Sequence, residues 1–212
     1  MQTRPFRQAD TDRLYDICLR TYDAGGDATH LCPSYPRLPA ETTVGPCLQF
    51  DPSFAFVLED ESREPTGYAV GVLDSPGFYR KCEASWWPPL RERYPDAASI
   101  PAENRTVEER LRYIVHHPVL PPPEILSVYP SHLHINLLPL VQGHGYGRAL
   151  LEILFSALAA AGSPGVFLGV QPANTRAMSF YKHLGFVQLS ATPSMSTRFG
   201  LKLPIKRERK GQ

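Results

Sequence analysis

The chain has 212 residues, with 22 basic and 21 acidic side chains and a formal net charge of +1. That length suits one domain with a sizeable core, and the charge balance argues against the electrostatic field of a nucleic-acid or membrane-surface binder. No apolar run reaches the ~18 residues of a membrane span, and the start does not read as a signal peptide, so a cytoplasmic protein is expected.

Residues 2–7, QTRPFR, read as a first strand. Asp10 or Thr11 can cap a helix running to about Tyr22, with Leu14, Ile17 and Cys18 on its apolar face. Residues 23–46 are rich in glycine and proline and read as irregular. Their acids Asp23, Asp27 and Glu41 are candidates for holding a substrate or plain solvated loop residues. Residues 53–59, SFAFVLE, and 67–73, GYAVGVL, alternate around a turn and predict a hairpin.

Residues 74–124 hold a cluster of aromatics, Phe78, Tyr79, Trp86, Trp87 and Tyr94, among prolines. Trp86–Tyr94 can form a short helix, broken early by Pro88 and Pro89. Thr106 and Glu109 stand at capping-box spacing for a helix to about His116. A structureless loop of this length is improbable, so a folded insertion is expected. Exposed aromatics there would mark an acceptor pocket or a dimer surface; packing onto the sheet is the plainer alternative.

Cys18, Cys32, Cys47 and Cys82 lack C-x-x-C pairs, which suggests reduced thiols and neither a disulfide frame nor a zinc site. His30 with Cys32 is too little for a metal, and no metal is expected. The tail Lys206–Lys210, KRERK, is the one basic run and reads as a disordered end over 206–212.

The informative stretch is Ser131–Gly147, SHLHINLLPLVQGHGYG. It predicts a buried strand, a glycine loop and a helix over about 145–161. Gln142, Gly145 and Gly147 stand at Q-x-x-G-x-G. Glycines permit φ > 0 and close approach of the backbone to a ligand, and a helix N-terminus carries unpaired donors and partial positive charge. The corner therefore suits a phosphate. It is no Walker A loop, because no Lys-Ser or Lys-Thr follows, and no Rossmann fingerprint, because Gly143, Gly145 and Gly147 run G-x-G-x-G. An apolar strand, Val166–Val170, then leads into QPANTRAMSFYKHLGF, where Asn174, Ala177, Phe180, Tyr181, Gly185 and Phe186 fit N-x-x-A-x-x-F-Y-x-x-x-G-F.

With both motifs in this order and separation, the chain resembles the GNAT superfamily of acetyl-CoA-dependent N-acetyltransferases over roughly residues 1–75 and 125–190. The stretches YDICLRTYDAGGD, VGPCLQF, FAFVLED, GYAVGVLD and WWPPLRERYP also resemble the acetyltransferase-like C-terminal domain of O-GlcNAcase and its free-standing bacterial relatives. The resemblance implies an α/β (α+β) GNAT fold. It would be a single domain over 1–205, with a mixed, mostly antiparallel, splayed sheet, flanking helices and a helical insertion at about 74–124.

It also implies acetyl-CoA as cofactor. The backbone around Leu137 and Leu138 would serve the pantetheine arm and the oxyanion. Gln142, Gly143, His144, Gly145, Tyr146, Gly147 and Arg148 would hold the pyrophosphate. Asn174 and Ala177 would flank the arm, and Tyr181 would be the general acid for the thiolate. The acceptor would be a primary amine of unknown identity, and a homodimer is open. The animal relative also suggests the alternative of an inactive CoA-binding interaction module.

His132 and His134 share one strand face, and imidazole suits proton acceptance near neutral pH; both are candidate bases. GNAT arylalkylamine acetyltransferases carry a His-x-His on this strand, but counting back from Gln142 puts this pair one residue out of register. The rings would face the site only if a bulge absorbs the slip.

Overall fold

The computed structural model describes residues 1–189 and 196–204. The basic tail lies outside the described residues.

The alternating and apolar runs become one sheet. Its strands are β1 (Gln2–Pro5), β2 (Ala55–Glu59), β3 (Pro65–Val72), β4 (Ser131–Leu137), β5 (Gly165–Val170), β6 (Val187–Gln188) and β7 (Thr197–Lys202). They lie in the order β1-β2-β3-β4-β5-β7-β6. Among the described residues every neighbouring pair is antiparallel except β4 and β5. That parallel pair is registered only at Ser131↔Val166 and His132↔Phe167. Beyond it β4 continues to Leu137 and β5 to Val170 without pairing, so the sheet parts into a gap.

The helices are α1 (Thr11–Leu19), α2 (Leu38–Glu41), α3 (Val44–Phe50), α4 (Ser75–Lys81), α5 (Trp87–Arg93), α6 (Val107–His116), α7 (Pro123–Leu126), α8 (Tyr146–Ala160) and α9 (Thr175–His183). One sheet face takes α8, which buries Leu150, Leu151, Leu154, Phe155 and Leu158. Burying each such side chain contributes about 1.5–3 kcal/mol. Close approach needs a glycine below: a Cβ on Gly71 would lie 2.7 Å from Leu154 Cδ1. The other face takes α1 to α3, with Leu14, Ile17 and Val44 fully buried.

Three sequence expectations change here. First, α1 ends at Leu19, and neither Asp10 nor Thr11 caps it. The Asp10 carboxylate instead accepts from Arg4 Nη1 at 2.7 Å, Arg4 Nη2 at 2.8 Å and Arg7 N at 2.8 Å. Second, residues 23–46 are not irregular throughout. Pro39 sits in the first turn of α2 and Pro46 early in α3, where a missing N–H costs nothing. Third, Glu41 is no solvated loop acid. It is 6% exposed and anchors the insertion: its carboxylate accepts from Tyr94 Oη and from Arg93 Nη1 at 2.9 Å, and its carbonyl accepts from Trp86 Nε1 at 2.8 Å.

The insertion is folded, as its length demanded. A π-helical turn, Cys82–Trp86, joins α4 to α5. The Thr106–Glu109 box forms, with Thr106 N donating to Glu109 Oε2 at 2.8 Å and Glu109 N to Thr106 Oγ1 at 3.3 Å. Pro88 opens α5 and does not break it. Trp87 and Tyr94 are buried, so most of the aromatic cluster is packing and not an exposed docking face. Among the described residues no helix is long and apolar enough to cross a membrane.

Candidate active site

The gap between β4 and β5 is the natural centre, because strand backbone is left there without a ladder. Leu138 N donates to Thr66 O at 2.9 Å, and β3 and β4 pair without interruption from Gly67↔Leu137 to Val72↔His132. Antiparallel alternation then turns the N–H and C=O of Ile135 and Leu137 away from β3, toward the gap. The sequence reading had Leu137 and Leu138 as joint donors. Leu138 is withdrawn by its bond to Thr66, which leaves Leu137 N–H.

The glycine loop closes the mouth of the gap. Gln142 Nε2 donates to Leu137 O at 2.7 Å, and Gln142 Oε1 accepts from Arg176 Nη1 at 2.7 Å. The glutamine thus braces the loop between β4 and the first turn of α9. Gly143 and Gly145 have φ of +84° and +83°, and a Cβ on either would meet nothing within 4 Å. Gly145 is the N-cap of α8 and offers no side chain to its first-turn N–H groups. A positive helix end without a side-chain cap, beside open space, fits a phosphate. Gly147 also serves packing, leaving its N–H for the loop: a Cβ there would lie 3.2 Å from Leu137 Cδ1 and 3.4 Å from Phe180 Cζ. His144 and Arg148 are exposed and Tyr146 is half-buried at the same helix end.

On the far wall, Asn174 caps α9, its Oδ1 accepting from half-buried Ala177 N at 3.0 Å. The Tyr181 ring, 7% exposed, packs between Phe180, Phe186 and Phe199. Burial pushes its phenol above the usual tyrosine range, and among the described residues its hydroxyl has no hydrogen-bond partner. It therefore stays protonated at neutral pH.

The histidines fall differently from the expectation. No bulge interrupts β4, which pairs continuously with β3; among the described residues the register shift in this half of the sheet is at Leu58/Glu59, between β2 and β3. Both rings share the face covered by α3 and α4. His132 is 6% exposed, its Nδ1 lies 2.7 Å from Ser75 Oγ, and Phe78, Tyr79 and Phe167 surround it. Burial, helped by its neighbour, lowers the His132 pKa to about 3, and burial lowers that of His134 to about 4. Such imidazoles are neutral at physiological pH but are weak bases. His132 is also walled off from the gap, which removes it as a base candidate.

Several residues escaped the sequence reading. Asn136 shares the histidines' face: its Oδ1 accepts from Tyr68 Oη at 2.9 Å, and its Nδ2 donates to Thr21 Oγ1 at 2.7 Å. Gln171 Nε2 donates to Tyr22 O at 2.9 Å. The segment after α1 is thereby tied to both walls of the gap. The spacing of His132, His134 and Asn136 did carry a signal, since period two puts them on one face. Asp23 and Asp27 lie in that segment; Asp27 Oδ1 accepts from Thr29 N at 2.8 Å, an Asx turn that accounts for it.

A sheet parted at its parallel pair, with an uncapped glycine-led helix at the opening, is the architecture of an N-acyltransferase. A profile of the Acetyltransferase (GNAT) family matches residues 124–186. The crystal structure of SsHAT superposes with a TM-score of 0.85 at 36% identity, over 95% of this chain and 97% of that one. Protein O-GlcNAcase of Rattus norvegicus is 30% identical over 187 residues, 88% of this chain but 20% of the relative, so the chain spans about a fifth of that protein's length. The Mus musculus protein matches equally. At 15% identity, PH1933 from Pyrococcus horikoshii OT3 shares the fold, with a TM-score of 0.60. This chain belongs to the GNAT acetyltransferase family.

Proposed function

We propose that the chain binds acetyl-CoA in the gap between β4 and β5 and transfers its acetyl group to a primary amine by direct attack. The observation that carries this reading is the open, positive-φ glycine loop leading into a helix without a side-chain cap, at the mouth of the parted strands.

When bound, acetyl-CoA supplies an activated thioester carbonyl; everything else is asked of the protein. N–H groups from Gln142 to Gly147 hold the pyrophosphate, and Arg148 adds charge at its edge. Leu137 N–H faces the carbonyl oxygen as negative charge develops there; one such donor is worth roughly 10²–10³ in rate. The acceptor nitrogen must be neutral, and an alkylamine with a pKa of about 10.4 is mostly charged at pH 7. With both histidines depressed far below neutrality, the amine sheds its proton to solvent. A C–N bond forms and the C–S bond breaks, and the nitrogen gives up a second proton to solvent as it becomes an amide. The Tyr181 hydroxyl gives its proton to the departing sulfur, and water restores it. Family members use acetyl-CoA, which supports the cofactor assignment.

A crystal structure with acetyl-CoA tests the placement. The expected result has pyrophosphate on the N–H groups of Gln142–Gly147 and the thioester beside Leu137. Cofactor bound anywhere else overturns it.

A further inference from the structure

We propose that Cys47, His132 and His134 form a binding site for one thiophilic divalent cation, and that Zn²⁺ is the ion that fits it. This site stands apart from acetyl transfer and uses side chains the transfer mechanism leaves idle.

The donors converge from two elements, Cys47 from α3 and both histidines from β4. One ligand atom from each lies within 4.8 Å of the other two. The H-x-H spacing makes this possible, because period two on a strand sends both rings to the face that α3 covers. The set is one thiol and two imidazoles, the borderline-soft donors that Zn²⁺ prefers over carboxylate and water. Ser75 Oγ lies 2.7 Å from His132 Nδ1. That is the outer-shell partner a ligating histidine usually has; it orients the ring and leaves Nε2 for the ion.

Tetrahedral Zn²⁺, with bonds of about 2.0–2.3 Å, needs donors roughly 3.3–3.7 Å apart, so donors already within 4.8 Å of one another need to close by no more than about 1.5 Å on binding. The chemistry around them agrees. Burial already holds both imidazoles neutral, so no proton competes for their lone pairs. Burial also keeps the Cys47 thiol protonated, with Asp51 and Cys82 as electrostatic neighbours. Binding would therefore release one proton, from sulfur. His134 is only half-buried, which gives the ion a way in. The fourth position is left for water. Cys47 and the histidines are far apart in sequence, so spacing alone could not reveal the set.

Co²⁺ is the probe. The chelator-treated full chain should take up one equivalent, with the d–d bands of a tetrahedral site and a thiolate-to-cobalt charge-transfer band, both abolished by Zn²⁺. Cys47→Ser should lose the charge-transfer band, and His134→Ala should weaken Co²⁺ by roughly a hundredfold or more. Cys82→Ala should leave the spectrum intact. If the ligand variants misfold, X-ray absorption at the zinc edge of the wild-type protein decides, with one sulfur and two imidazoles in the shell. Octahedral or absent cobalt bands, a charge-transfer band that survives Cys47→Ser, or a zinc shell without sulfur overturns the site. None of these readouts depends on acetyl transfer, so its failure and the failure of the enzymatic reading are separable.

Discussion

Replacing Gly145 by alanine and by glutamate separates the two properties assigned to the glycine loop. Its φ of +83° disfavours any L side chain, at a cost of about 1–2 kcal/mol in fold stability. That cost is common to both variants. A Cβ there meets nothing within 4 Å, so neither substitution should add a clash or prevent folding. The difference lies in charge. A glutamate carboxylate would stand where the pyrophosphate is proposed to sit. Two unit charges 4 Å apart interact by about 4 kcal/mol at an effective dielectric constant of 20. With solvent screening, a loss of about 2–4 kcal/mol is expected, a weakening of acetyl-CoA binding by roughly 30- to 1,000-fold. The new carboxylate can also cap the first turn of α8, competing for the same N–H groups. Isothermal calorimetry with acetyl-CoA, beside thermal melts of each variant, gives both numbers. Gly145→Ala should melt lower yet bind nearly as wild type; Gly145→Glu should melt similarly to the alanine variant and bind poorly. Unchanged affinity in a folded Gly145→Glu protein would show that the loop is a turn and not a phosphate site.

Tyr181→Phe should leave acetyl-CoA affinity nearly intact and lower kcat by roughly the 10²–10⁴-fold of a positioned acid, read by steady-state kinetics on any amine that turns over; full kcat would remove the tyrosine from the chemistry. Asp10 is buried, which alone would raise its pKa, but bonds from Arg4 and Arg7 N hold it below the usual carboxylate range. Its folded-state pKa is depressed, so its stabilising contribution is present above the unfolded value of about 3.9 and is lost as pH falls below it. Arg4 keeps its second buried partner, Glu59, so Asp10→Asn should cost roughly 1.5–3 kcal/mol at pH 7, the worth of charge-assisted bonds, with the gap to wild type narrowing in acid; a gap independent of pH in denaturant melts would contradict this. Gly71→Val should destabilise by about 1–3 kcal/mol through overpacking against Leu154, and a neutral thermal shift would mean α8 can move off the sheet.

Much of the fold was legible because its signals are local. The hairpin alternation, the Thr106–Glu109 box and the glycine loop each show within a dozen residues, and each appears where expected. What failed to show depends on contacts between distant segments. Asp10 is an exception: it looks like a cap in sequence, and the residue that claims its carboxylate, Arg4, is only six positions away, but the pairing depends on β1 and the turn after it rather than on helix spacing. Glu41 looks like a loop acid, yet the insertion brings Tyr94 and Arg93 onto it. The histidine pair was visible, but its orientation depended on a bulge that β4 does not have. For the same reason Asn136, Gln171 and Arg176 were missed: their partners Thr21, Tyr22 and Gln142 lie on other elements.

Acetyl transfer to an amine is tested most directly by mixing the purified chain with acetyl-CoA labelled on the acetyl group and a panel of primary amines, and following the label. The panel should include small alkylamines, amino acids and lysine-containing peptides. The expected result is label on the nitrogen of at least one amine, at a rate that Tyr181→Phe and Gly145→Glu both reduce. Tight acetyl-CoA binding with no label on any amine would contradict turnover, and would leave a cofactor-binding interaction module in place of an enzyme.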